Sequence, residues 1–132
     1  MAAAAAAAAR VVVSGAGSAI VNAAYARREA AAVPRSFALV CRASGWDSEA
    51  TWSRLNGERA WWEAPNGSYL YFNRADGQWW LDSGETGLGV YVARAAGTGA
   101  KDAPPPRSGW AVVGDGGALP LPTVVHEAGG EL

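Results

Sequence analysis

Three turn-forming dipeptides recur at a fixed interval in the middle of the chain: Asn56-Gly57, Asn66-Gly67 and Asp76-Gly77 stand ten residues apart, and a looser break at residues 84–89 follows. Asn-Gly and Asp-Gly are favoured central pairs of a two-residue type I′ hairpin turn, because both positions require positive φ. Between the turns lie runs of strand length, residues 58–63, 68–73, 78–82 and 90–94, rich in aromatic and β-branched side chains. This spacing predicts an antiparallel meander in which each strand pairs with the next. Pro65 fits a strand end, where its missing N–H costs no ladder bond.

Alternation assigns the faces. Tyr69 and Tyr71 point one way, Leu70 and Phe72 the other, and the adjacent pairs Trp61-Trp62 and Trp79-Trp80 each put one indole on either face. Both faces are then aromatic, whereas a sheet with one wet face alternates apolar with polar. The expected fold class is all-β: a meander of short strands curled into a small barrel or compact sheet, or covered by the N-terminal strands. Thirty alanines and seventeen glycines bury little, so the seven Trp, four Tyr and two Phe must supply the core volume. Rings left outside that core would form a ligand-binding platform, with Trp61, Trp62, Tyr69, Tyr71, Trp79, Trp80 and Tyr91 as its candidates.

Beyond the meander, residues 11–13, 37–41 and 51–55 read as further short strands, and residues 23–32 carry helix propensity up to the stop at Pro34. Pro104-Pro105-Pro106 is a stiff linker. It leads to a last strand at residues 110–113 and an extended apolar strap at residues 119–122. Composition divides the chain into an alanine-rich low-complexity leader at residues 1–10, helical or disordered, a single β domain at residues 11–125 and a flexible tail at residues 126–132. The leader superficially resembles a signal peptide, but it has no positive n-region and Arg10 interrupts it, so a cytoplasmic protein is expected, with secretion as the alternative.

Eleven Lys and Arg against twelve Asp and Glu give a net charge of −1 with no basic stripe. Nucleic-acid binding is therefore not expected, because phosphate neutralisation supplies most of that affinity. No stretch reaches the ~18 apolar residues of a membrane span. With Cys41 as the sole cysteine, neither an intrachain disulfide nor a cysteine-based zinc cluster is possible. Inside an apolar run, Cys41 reads as a buried small hydrophobe. His126, the sole histidine, reads as a solvated tail residue. No metal or other cofactor is expected.

Residues 11–20, Val-Val-Val-Ser-Gly-Ala-Gly-Ser-Ala-Ile, read like the opening of a dinucleotide-binding unit, where glycines let a pyrophosphate approach a helix N-terminus. Ile20 stands at the third glycine position, no acid closes the next apolar run, and the meander leaves no room for further parallel strands. A strand entering a glycine-rich turn is the plainer account of Gly15 and Gly17.

The order of several motifs resembles short Trp-rich β modules found in large multidomain proteins of algae, oomycetes and other protists. The matching positions are Val13-Ser14-Gly15-Ala16-Gly17, Val21-Asn22-Ala23-Ala24-Tyr25, Asn56-Gly57 with Trp61-Trp62, Trp79-Trp80-Leu81, Val90-Tyr91-Val92, Pro105-Pro106-Arg107-Ser108-Gly109-Trp110 and Leu119-Pro120-Leu121-Pro122. The pattern departs at Ala23, where a turn glycine is expected. The resemblance implies a β fold, turns residues 24–27 from helix towards strand, and implies no reaction. The run Tyr69-Leu70-Tyr71-Phe72-Asn73 followed by Trp79 is similar to WW domains, but their closing Trp-x-x-Pro is missing. The physical analogy remains, since strands presenting Tyr and Trp hold proline-rich peptides.

Paired acids, nucleophile–base pairs and metal ligands at readable spacing are the marks of a catalytic site. Glu58 and Glu63 fall at opposite ends of one expected strand, Asp82 and Glu85 at a strand end and a loop, and Asp76 in a turn. The expectation is therefore a non-catalytic binding or scaffolding module that recognises a peptide or protein through Trp and Tyr, which give large contact area with few torsions to freeze. The alternatives are a carbohydrate-binding module and, least favoured, a dinucleotide-binding protein using Gly15 and Gly17.

Overall fold

At Asn66-Gly67 and Asp76-Gly77 the chain reverses between paired strands, and the meander built there forms the centre of an all-β fold. The turns are longer than the expected two-residue type I′ hairpins: residues 64–68 separate the pair Glu63 and Tyr69, residues 74–77 separate Asn73 and Gln78, and only the glycine of each dipeptide has positive φ. The computed structural model describes residues 9–94, 103–114 and 116–127. Its strands are β1 (Arg10–Ser14), β2 (Ala23–Arg28), β3 (Trp61–Glu63), β4 (Tyr69–Asn73), β5 (Gln78–Asp82), β6 (Gly89–Arg94), β7 (Trp110–Val112) and β8 (Thr123–Glu127). They make one antiparallel sheet in the order β7-β6-β5-β4-β3-β2-β1-β8. Helices α1 (Arg35–Ala43) and α2 (Ser48–Asn56) are inserted between β2 and β3.

The sheet curls into a half-barrel. Its concave face gathers Val11, Val13, Tyr25, Trp62, Leu70, Phe72, Trp79, Leu81, Tyr91, Trp110 and Val124, which draw on every strand. Edge strands β7 and β8 do not pair with each other. The opening between them is spanned by connecting chain instead: Tyr91 Oη accepts from Ser18 N and donates to Ala118 O, and Gly17 N donates to Pro120 O. A Cβ at Gly17 would run into the Leu119 carbonyl. The apolar strap at residues 119–122 thus lies across the barrel end, and glycine is required where it crosses.

Two apolar runs expected as strands are helices. In residues 37–41, Phe37, Val40 and Cys41 turn towards the sheet while Leu39 and Arg42 face out. That is the i, i+3, i+4 stripe of a helix, which a run of five apolar residues cannot distinguish from a strand. Residues 51–55 lie within α2. Asp47 caps this helix by accepting from Ala50 N, and Gly57, at φ 64°, ends it in the left-handed conformation. Asn56-Gly57 is therefore a helix C-terminus and not a hairpin. The strand expected over residues 58–63 shortens to β3.

Residues 23–28 form a strand despite their helix propensity, because backbone pairing to β1 on one side and β3 on the other outweighs a weak local preference. At the other end, His126 and Glu127 belong to β8 and not to a flexible tail. His126 Nε2 hydrogen-bonds Pro105 O at 2.5 Å, tying the Pro-rich linker to this strand. The expected leader and tail otherwise fall mostly outside the described residues.

Candidate functional site

The seven aromatic residues expected as a platform are divided by the sheet. Trp62, Trp79 and Tyr91 fill the concave core, while Trp61, Tyr69, Tyr71 and Trp80 lie on the convex face beneath the helices. All but the half-buried Trp80 are buried, so they do not form one exposed aromatic surface. The physical reason is the helical layer, which covers the face that alternation alone leaves open. Trp52 of α2 packs its ring 5.5 Å from Trp61, 5.0 Å from Tyr71 and 5.0 Å from Phe37 of α1. Such tilted and edge-on pairs add to the area each ring buries.

The indole N–H groups are also used internally. Trp61 Nε1 donates to Glu29 O and Ala32 O, and Trp52 Nε1 to Ala30 O. These bonds clamp the loop between β2 and α1 onto the helical layer. Trp80 Nε1 donates to Asp76 Oδ2, whose Oδ1 accepts from Gln78 N, so Asp76 serves its turn. Asn66 does the same for its own turn, accepting from Ser68 N and donating to Ile20 O.

The exposed large apolar side chains fall in two groups, one on the strap and β8 (Leu119, Leu121 and Val125) and one on the helical side. Leu39 of α1, Trp46 in the turn leaving α1, and Leu88 in the β5–β6 loop are 54%, 58% and 61% exposed. Trp46 is the one exposed aromatic ring among the described residues. A shallow groove of about 220 Å³ runs between α1, at Ser36, Leu39, Val40 and Ala43, and the β5–β6 loop, at Gly84 and Glu85.

A larger cleft of about 580 Å³ opens on the other flank of the helical layer. The clamped loop supplies Ala30, Ala31 and Val33 to one wall. Glu49, Trp52 and Ser53, spaced i, i+3, i+4 on α2, supply the other. Glu58 completes the lining. It is the one non-glycine residue with positive φ among the described residues, at 60°. A side chain in that backbone region costs about 1–2 kcal/mol relative to the right-handed form.

Ionisable groups inside the fold are few. Asp82, buried on the convex face opposite Tyr69, has its carboxyl pushed up to about 7 by burial, with Tyr69 opposing the shift. The phenols of Tyr69 and Tyr71 are raised, first by burial and then by the Asp82 charge. Burial likewise raises the Cys41 thiol, against a weaker pull from Thr51, which is the reverse of what a nucleophilic thiolate needs. Glu63 pairs with Arg28 across β2–β3. Among the described residues, no three His, Cys, Asp or Glu side chains group as metal ligands.

The glycine turn has a different setting from the one a dinucleotide unit needs. β1 pairs antiparallel with β2, a single short 3₁₀ turn (Ala19–Val21) stands where a phosphate-binding helix would begin, and the strap occupies the approach to Gly17. No helix among the described residues is long and apolar enough to cross a membrane.

No family model matches the chain, and no curated protein or solved structure matches it.

Sequence reasoning passed over Trp46, Leu39 and the cleft. Trp46 sits in a polar stretch, and nothing in its neighbours separates an exposed indole from a buried one. The Asp47 cap with Glu49 in the first turn is the signal that would have located α2 and, with it, the cleft wall.

Proposed function

We propose that the chain is a non-catalytic binding module that recognises a peptide or protein segment on its helical side. The observation that supports this most is the contrast between the two sets of rings. The sheet aromatics are consumed by packing, whereas on the helical side Trp46 and Leu39 stand exposed and, on the other flank of the same layer, a cleft of the size that ligand sites occupy opens. Trp is the residue that most often anchors such contacts. Support for a non-catalytic role is chemical: the buried acid and thiol are both held towards their neutral forms, and neither sits beside a base.

The near-neutral charge favours a protein partner over nucleic acid. The buried, unpaired Cys41 suits the cytoplasm. The carbohydrate reading relies on exposed rings to stack on sugar faces, and Trp46 alone supplies one among the described residues.

Selection from a displayed random peptide library tests the proposal. Enrichment that is lost in Trp46→Ala, or in a cleft variant, is the expected result. A folded chain that enriches no peptide above background would overturn it.

A further inference from the structure

We infer that the 580 Å³ cleft takes a basic side chain, Arg or Lys, from an extended peptide segment, a refinement that rests on the binding-module reading above. The lining carries two carboxylates, Glu49 and Glu58, and no basic group. Neither acid has an ion-pair partner among the described residues, whereas Glu29, Glu63 and Glu127 each pair with an arginine. Apart from Ser53, the rest of the lining is apolar: Ala30, Ala31, Val33 and Trp52. An aliphatic stem ending in a cation matches that arrangement, stem against alanine and valine and charge against carboxylate.

The loop wall is fixed in place by bonds already described. The backbone carbonyls at residues 29, 30 and 32 are engaged by Trp61 and Trp52, so the loop cannot shift away from the helical layer without breaking them. Glu58 adds a second feature. Its left-handed backbone suits glycine or asparagine, yet it carries a long acidic side chain that lines the cleft. A residue kept in a conformation it disfavours, at a cleft wall, is the pattern of stability exchanged for binding.

The test uses the full chain and capped peptides of one length whose central residue is Arg, Lys, Gln or Glu within an alanine–valine background. The Arg and Lys peptides are expected to bind, more weakly as salt rises, with the Gln peptide about tenfold weaker and the Glu peptide weaker still. Glu58→Gln and Glu49→Gln should each weaken the Arg peptide by roughly three- to tenfold. Glu58→Asn should do the same while raising the melting temperature, which separates loss of binding from loss of fold. Peptides that bind without preference for a basic centre would overturn this inference and leave the module reading standing. So would affinity lost in Trp46→Ala but untouched in Glu58→Asn. Binding of none of the four peptides by a chain that does enrich library peptides would also overturn it, and an empty library selection would remove both readings.

Discussion

Tyr69 and Asp82 face each other across the β4–β5 register, both buried on the convex side, and neither Tyr69 Oη nor Asp82 Oδ1 has a partner in full hydrogen-bond geometry. They are near enough for each to act on the other's ionisation, and burial dominates both. A carboxyl held this way is tolerated as the neutral acid and penalised as the anion.

This pair makes stability depend on pH with a definite sign. The folded chain holds the Asp82 proton up to about 7, whereas the ordinary value is 3.8, so the unfolded chain releases its proton first as pH rises. The Asp82 contribution is therefore lost progressively between those two values and is level above them, a total on the order of 4 kcal/mol. Urea denaturation of the parent and of Asp82→Asn, at several values across that window, reads the effect as their difference. The variant should lack this part of the slope and be the more stable of the two at pH 8.

Gly17 is a packing residue in this fold. Because its Cβ would strike the Leu119 backbone, Gly17→Ala should destabilise by roughly 1–3 kcal/mol, and Gly17→Val by more. Denaturation midpoints check the loss. The parent chain should not be retained on a dinucleotide resin, and retention that vanishes in Gly17→Val would restore the nucleotide reading.

The seven tryptophans should separate sharply by accessibility. Trp46 is exposed and Trp80 half-buried, while Trp52, Trp61, Trp62, Trp79 and Trp110 are buried. Iodide should therefore quench a minor, red-shifted part of the emission, and Trp46→Phe should remove most of it with stability changed by under about 0.5 kcal/mol. Steady-state quenching of parent and variant decides the matter.

Trp61 is the keystone of the helical layer, with ring contacts to Trp52 and Tyr69 and an N–H shared by two loop carbonyls. Trp61→Ala should cost on the order of 3–5 kcal/mol. Trp61→Phe keeps much of the volume but strands those carbonyls, so it should lose less stability while speeding amide exchange over residues 29–32. Hydrogen exchange of the two variants separates packing from clamping.

The strands β4, β5 and β6 were legible because two local signals agree there: turn dipeptides at the right spacing, and alternation that puts Tyr69 and Tyr71 opposite Leu70 and Phe72. The helical insertion was not, since the same signals mislead in that stretch. Asn56-Gly57 has the chemistry of a hairpin and of a helix end alike, because both need left-handed backbone. β8 escaped notice because its pairing with β1 joins residues more than a hundred positions apart. The exposure of the rings, which decides the site, depends on that insertion. Alternation correctly gave Trp61 and Trp62 opposite faces, yet no feature of β3 announces that a Trp from another element will cover one of them.

The most direct test of the account is a backbone-amide NMR titration of the full chain with the capped Arg-centred peptide. Shift changes should concentrate at Ala30, Ala31, Val33, Glu49, Ser53 and Glu58, the residues around the cleft, and spread to the helical hairpin. Changes confined to β1, β2 and β8, or none at peptide concentrations that saturate library-derived ligands, would contradict it.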